Sequence, residues 1–325
     1  VKRWSLKRPQ QAAVETPVSS AARVADLLTP DLLRHVRRIQ MRSRKLASSL
    51  FIGEYRAIFR GRGVEFAGVR EYVPGDEVRT IDWNVTARLN APYVKKFVEE
   101  RELTVLLAAD ISASAAFGTA RRSKREVIAE ICALLALSAI ENKDRVGLIA
   151  FSDRIEQFIP PAAGERHVLR LVRQLLGLQP AGRGTNLTAP LEYAARILHR
   201  RAIVFLVSDF HATDDYTAAL RVVAQRHDTI AIAVSDPREE ELPDAGLIDL
   251  QDAESGATLL IDTANPAVRD AYARAARAAR EERNRLLHRL GVDLIEVSTA
   301  ASYIDPLVAF FQRRAGGAQQ ARVPA

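Results

Sequence analysis

Leu103-Thr104-Val105-Leu106-Leu107-Ala108-Ala109-Asp110-Ile111-Ser112-Ala113-Ser114 sets an apolar run directly against one carboxylate and two hydroxyls. A short apolar run of this kind predicts a strand buried on both faces. The Asp-x-Ser-x-Ser that ends it presents three oxygen-bearing side chains at one sheet edge. Hard oxygen ligands suit Mg2+, which demands nearly octahedral oxygen geometry and usually keeps part of its water. Asp and Ser also serve as helix N-caps and turn formers after a strand, so this stretch alone leaves both readings open.

Two later sites bear on the choice. Thr185 stands in the glycine-flanked loop Gly182-Arg183-Gly184-Thr185-Asn186, just before a helical pattern, and Asp209 ends a second apolar run, Ala202 to Ser208. In an open parallel sheet, the loops at the carboxyl ends of the strands gather at one edge, and ligands bind there. Taken singly, Thr185 reads as a helix cap and Asp209 as a turn residue. Taken with Asp110, Ser112 and Ser114, in that order and on those elements, they predict one oxygen-rich cluster.

The set Asp110, Ser112, Ser114, Thr185 and Asp209 resembles the metal-ion-dependent adhesion site of von Willebrand factor type A domains, and the resemblance extends over residues 101 to 315. It implies that the two serines and the threonine hold Mg2+ or Mn2+ directly or through water. It implies further that the aspartates balance the charge from behind, and that an acidic group of a partner fills the remaining position. On that reading the metal is a bridge and the protein is not an enzyme.

Upstream, Gly63-Val64-Glu65-Phe66-Ala67-Gly68-Val69-Arg70-Glu71-Tyr72-Val73-Pro74-Gly75-Asp76-Glu77-Val78-Arg79-Thr80-Ile81-Asp82-Trp83-Asn84, continuing through Arg88 and Lys95-Lys96-Phe97 to Glu100, is similar to the signature of a bacterial family known as domain of unknown function fifty-eight. Members of that family join such a segment to a von Willebrand type A domain and are linked with MoxR-type AAA+ ATPases. The resemblance therefore implies an adaptor that brings a MoxR-type ATPase to a client complex for assembly or cofactor loading. Read physically, the segment alternates apolar and charged residues around a Pro-Gly-Asp turn, which predicts short strands with one wet face. Arg70, Arg79 and Arg88 are expected to pair with Glu71, Asp76 and Asp82; a separate ligand site is the alternative.

Strands are predicted at 103–110, 146–151, 155–159, 202–208, 229–234 and 292–297, with helical patterns at about 121–141, 165–177, 187–199, 214–226 and 265–289. This alternation predicts an α/β, doubly wound, mostly parallel sheet, with 146–159 as a hairpin that gives one antiparallel edge. After Ser235 come an acidic run, Asp236 to Glu241, and a hairpin across Asp252-Ala253-Glu254-Ser255-Gly256. The acidic run is expected to be a solvated loop, with a partner surface as the alternative.

The division expected is a flexible basic tail at 1–26, a helix and signature segment at 27–100, the type A-like domain at 101–315 and a flexible tail at 316–325. Residues 1 to 50 hold 11 Lys and Arg against 3 Asp and Glu, while the whole chain carries +7. The basicity thus belongs to an arm, which reads first as a solvated helix face, with weak contact to an anionic surface of nucleic acid, lipid or protein as the alternative. Apolar stretches such as Ile131 to Leu137 are too short to span a bilayer, and no apolar segment follows the first basic residues. A cytoplasmic protein with no integral membrane segment is the expectation. Cys132, the single cysteine, falls within an apolar helical run and is expected to be an inert buried thiol.

The sequence holds no Gly-x-x-x-x-Gly-Lys-Ser/Thr, no Gly-x-Ser-x-Gly and no His-Glu-x-x-His. The alternative to a binding module is a Mg2+-dependent phosphohydrolase that uses the strand-end aspartates with His211 as base. Ser112 and Ser114 weigh against it, since such a site is expected to supply more carboxylates and a lysine.

Overall fold

The computed structural model describes Tyr55 and residues 65–89, 91–98, 102–119 and 122–320. The basic tail and N-terminal helix expected from the sequence, and the anionic-surface contact expected of residues 1–50, lie outside the described residues.

In chain order the elements are β1 (Glu65–Glu71), α1 (Trp83–Leu89), β2 (Tyr93–Val98), β3 (Thr104–Asp110), α2 (Lys124–Glu141), β4 (Arg145–Phe151), β5 (Ile155–Ala162), α3 (Glu165–Gly177), α4 (Thr188–Ile197), β6 (Ile203–Ser208), α5 (Thr217–Arg226), β7 (Asp228–Ser235), α6 (Pro237–Glu240), β8 (Leu247–Gln251), β9 (Thr258–Asp262), α7 (Pro266–Arg289), β10 (Asp293–Ser298) and α8 (Ile304–Gln320). The main sheet has the order β10-β7-β6-β3-β4-β5. All neighbouring pairs are parallel except β4 with β5, the expected antiparallel edge. The chain winds outward from β3 on one side and from β6 on the other, so the topological switch lies between these two strands. The crevice beyond their carboxyl ends is where such sheets bind ligands.

The apolar run of β3 is buried from Val105 onward because helices cover both faces. Alternate side chains enter separate cores, as the two-residue period of a strand requires. Val105, Leu107 and Ala109 join Val127, Ile128, Leu171 and Leu307 from α2, α3 and α8. Leu106 and Ala108 join Leu191, Leu220 and Leu287 from α4, α5 and α7. Helix α2 is buried on nearly every side, including Cys132, which is why its apolar residues show no clean stripe.

The signature segment forms an antiparallel β1–β2 pair. The expected Arg70–Asp76 pair is present and bidentate, at 2.6 and 2.7 Å. Between the strands, where only strands were expected, α1 forms. The Asp82 carboxylate accepts from the N–H groups of Asn84 and Val85 and so starts a helix at Trp83. Tyr55 is built into the main core: its hydroxyl donates to Asp144 Oδ2 at 3.2 Å, and its ring lies 6.1 Å from that of Phe311. At the other end α8 runs to Gln320, into the segment read from sequence as a tail. Among the described residues no helix is long and apolar enough to cross a membrane.

The predicted hairpin after Ser235 is present as β8–β9. The acidic run is not a solvated loop. Asp236 is buried, accepts from the Thr119 N–H (2.9 Å) and the Thr299 hydroxyl (2.7 Å), and caps α6, a single helical turn with Pro237 at its start.

Candidate metal site

Asp110, Ser112, Ser114 and Asp209 form one hydrogen-bonded chain at the switch between β3 and β6. Asp110 Oδ1 accepts the Ser112 N–H (2.9 Å) and Oδ2 accepts the Ser208 hydroxyl (2.5 Å). The Ser112 and Ser114 hydroxyls lie 3.0 Å apart, and Ser114 donates onward to Asp209 Oδ2 at 2.8 Å. Asp110, Ser112 and Asp209 are buried, and Ser114 is half-buried. Burial and the charge of Asp209 push the Asp110 carboxyl up to about 7.

The Thr185 loop is tied to the same edge. The Ala113 N–H donates to Arg183 O at 3.0 Å, and the Asn186 N–H to Ser152 O at 2.9 Å. Gly182 packs tightly here: a Cβ at this position would stand 1.9 Å from Asp153 Oδ1 and 2.5 Å from Ser152 Oγ, so both side chains would have to move. Its N–H donates to Glu156 Oε1 (2.8 Å), which also accepts the Ser152 hydroxyl (2.6 Å). Thr185 itself is buried, and its hydroxyl donates to Glu254 Oε1 at 2.6 Å.

Sequence reasoning missed three groups of this site. Lys124 is fully buried, and its ammonium donates to Asp209 Oδ2 (2.6 Å) and to Glu239 Oε1. Burial alone would lower the Lys124 pKa, but the Asp209 and Glu239 carboxylates outweigh it and leave it raised. Against its own burial, Asp209 is held below the usual carboxylate range, chiefly by Lys124. The lysine expected to be missing from a hydrolase-like site is therefore present. A signal existed in the sequence: Ser123 and Glu126 form a capping box (Glu126 N–H to Ser123 Oγ 3.2 Å; Ser123 N–H to Glu126 Oε2 2.9 Å), which puts Lys124 at the first helical position. A cation is unfavourable at a helix N-terminus, so a lysine there needs a carboxylate partner. Glu239 and Glu254 are the other two; both come from the segment after β7, far in sequence from the metal loops, and carried no such signal.

Beside Asp209 the turn is strained. Phe210 adopts a left-handed conformation (φ 62°), uncommon for a bulky side chain. That turn is fixed by the Phe210 N–H on Ser208 Oγ (3.0 Å) and the His211 N–H on Asp209 Oδ1 (3.0 Å). His211 is exposed and lines a cavity of about 280 Å³ with Asp209, Glu239, Tyr272, Arg280 and Arg283. The two arginines are engaged by Glu296 at 2.8 and 2.6 Å.

The donor set fits a hard divalent cation. It consists of hydroxyl and carboxylate oxygens, and it gathers two buried carboxylates whose mutual repulsion a cation would relieve. Among the described residues no three His, Cys, Asp or Glu side chains converge as a metal cluster, so a cation here depends on the serine and threonine oxygens.

Residues 68–282 match the family described as "Protein of unknown function DUF58". The chain belongs to this family. It is similar to "Uncharacterized protein Rv1480" of Mycobacterium tuberculosis, with 32% identity over 295 residues that span 90% of this chain and 93% of that protein. It also resembles "Uncharacterized protein YeaD" of Bacillus subtilis, 28% identical over 109 residues, covering 34% of this chain and 25% of that protein. Solved structures to which the chain shows similarity include the hypothetical protein BatB from Bacteroides thetaiotaomicron (16% identity, 67% of this chain and 99% of that one, TM-score 0.43) and the SpRpn10 VWA domain (11% identity, 64% and 94%, TM-score 0.36). The sheet order with its single antiparallel edge gives this DUF58 protein the doubly wound, mostly parallel α/β architecture expected from its sequence.

Proposed function

We propose that this DUF58 protein is a metal-dependent interaction module that grips a carboxylate of a partner through Mg2+ or Mn2+. The observation that carries the reading is the unbroken hydrogen-bonded chain Asp110–Ser112–Ser114–Asp209 at the switch of the sheet, with the Thr185 loop tied beside it. Ser112, Ser114 and Thr185 would hold the ion, and Asp110 and Asp209 would balance its charge. Bound there, the ion would supply a Lewis-acidic position open to one acidic group. Lys124 keeps Asp209 ionised and fixed in direction. The cavity beside Asp209 offers shape and charge for the partner's flanking residues. The resemblance to domain-of-unknown-function fifty-eight proteins supports a MoxR-type AAA+ ATPase as partner, with this chain as its adaptor to a client complex.

Thermal unfolding with MgCl2 and with chelator tests the site. Wild type should be stabilised by Mg2+, by about 2.7 kcal/mol at a concentration one hundred times Kd, and Asp110→Ala should not respond. Equal stabilisation of both would end the assignment. Capture from native lysate then tests the partner: a MoxR-type ATPase retained by wild type with Mg2+, and lost with chelator or with Asp110→Ala, supports the adaptor role.

Lys124 on Asp209 favours one second reading, a Mg2+-dependent phosphohydrolase with a strand-end aspartate, this lysine and His211 as base. Mg2+-dependent turnover of a generic phosphate ester, lost in Asp110→Asn and reduced in His211→Ala, would favour it. No turnover across a broad ester panel would exclude it.

A further inference from the structure

Glu254 reaches the buried Thr185 hydroxyl from a different part of the chain, across 69 residues of sequence. It sits in the turn between β8 and β9, and that turn is built to aim it. Asp252 Oδ1 accepts the N–H groups of Glu254 (2.8 Å) and Ser255 (3.3 Å), and Gly256 closes the turn with φ +74°. The base of the hairpin is pinned by Thr263, which is fully buried; its hydroxyl donates to Gly246 O (2.7 Å) and accepts the Ala245 N–H (3.1 Å). Glu254 Oε2 also packs against the backbone beside Thr185, 3.6 Å from where a Cβ on Gly184 would stand. Among the described residues no Lys or Arg forms an ion pair with Glu254. A carboxylate has thus been carried to a metal-loop hydroxyl and given a neutral partner there, with one oxygen uncommitted to any cation.

The hairpin that carries it is lightly attached. Leu247, Leu259 and Leu260 are all more than 60% exposed, so little apolar burial holds the arm in place.

We propose that Glu254 is an internal ligand of the metal site, the chain's own carboxylate standing at Thr185 where a partner's carboxylate would bind. The inference rests on the metal reading above and assigns the occupant of its open position. A bound cation draws Glu254 off the Thr185 hydroxyl or shares it, and the β8–β9 arm becomes more firmly held as a result. A partner gains the position by lifting the arm away.

The test uses the full-length chain, with MgCl2 or MnCl2 as the only ligand. Calorimetric titration should show Glu254→Gln binding the ion about tenfold or more weakly than wild type, in the range lost when a supporting group is taken from a metal ligand. Hydrogen exchange across 247–262 should slow on adding Mg2+ in wild type and stay unchanged in Glu254→Gln. The exchange arm reads the wild-type chain directly, so it does not depend on how the variant folds. Equal affinities together with Mg2+-insensitive exchange of the hairpin would overturn Glu254 as ligand and leave the metal site standing. No Mg2+ binding by either protein would remove the metal site itself, and the internal ligand with it.

Discussion

Lys124 illustrates how a single side chain can be both indispensable and poorly legible. Its ammonium is fully buried and bridges two carboxylates from elements more than eighty residues away. Removing one partner of a buried ion pair leaves the other charge without compensation, at a cost of about 3–5 kcal/mol. Lys124→Ala should therefore lower the urea-unfolding free energy by about that amount, and Lys124→Ala with Asp209→Asn should lose less than the sum of the two single changes. Additive losses would show that the two groups are not coupled. The five oxygen-bearing residues were readable because each lies at or just beyond the end of an apolar run, or in the glycine-flanked loop ahead of a helical pattern, which is a local pattern. Glu239 and Glu254 reach the site across the fold with no local pattern to mark their tertiary hydrogen bonds, and Lys124 carried only the indirect mark of its capping box.

At the scale of elements, the strands were legible because central parallel strands are continuous apolar runs bounded by turns. Their predicted limits lie within a few residues of those observed. Helix α1 was not legible: its seven residues are flanked by strand-like alternation, and what starts it is the Asp82 carboxylate on two backbone N–H groups. The acidic run after β7 reads as a solvated loop by composition; burial of Asp236 and the pairing of Glu239 with Lys124 turn it into a wall of the site. For α2 the capping box sets where Lys124 sits. Ser123→Ala should cost about 1 kcal/mol in stability and should also weaken any Mg2+ response, because it loosens the turn that aims the lysine. An unchanged Mg2+ titration in that variant would separate the cap from the site. Cys132, at the centre of the same helix, has its thiol pushed up to about 12 by burial. It should resist alkylation in the folded protein and react only on unfolding, so its labelling rate against urea reports opening of α2. Rapid labelling without denaturant would contradict the packing.

Across the whole molecule, Asp144 joins the start of the main domain to Tyr55. Its carboxylate accepts the Leu103 N–H at 3.0 Å and the Tyr55 hydroxyl at 3.2 Å, yet burial pushes its pKa up to about 6. An unfolded aspartate titrates near 3.9, so between about pH 4 and 6 the folded chain binds more protons than the unfolded one. The contribution of Asp144 to stability is therefore complete below about pH 4 and is lost as pH rises through 6. Relative to Asp144→Asn, wild type should lose thermal midpoint between pH 4 and 6.5 and run parallel above that. Parallel curves over the full range would show that Asp144 is not the titrating group.

As the proposed internal ligand, Glu254 would through its tether also set a threshold for any partner. A group fixed to the same chain faces its target at an effective concentration on the order of millimolar, whatever the protein concentration in the cell. Free acetate or a stray side-chain carboxylate below that level competes poorly with it. A partner succeeds by making contacts beyond its acidic group, and the exposed Leu247, Leu259 and Leu260 of the arm are apolar surface that such contacts can use. In this chain, selectivity would come from the competitor that the protein carries with it, which filters out abundant anions before any shape is read.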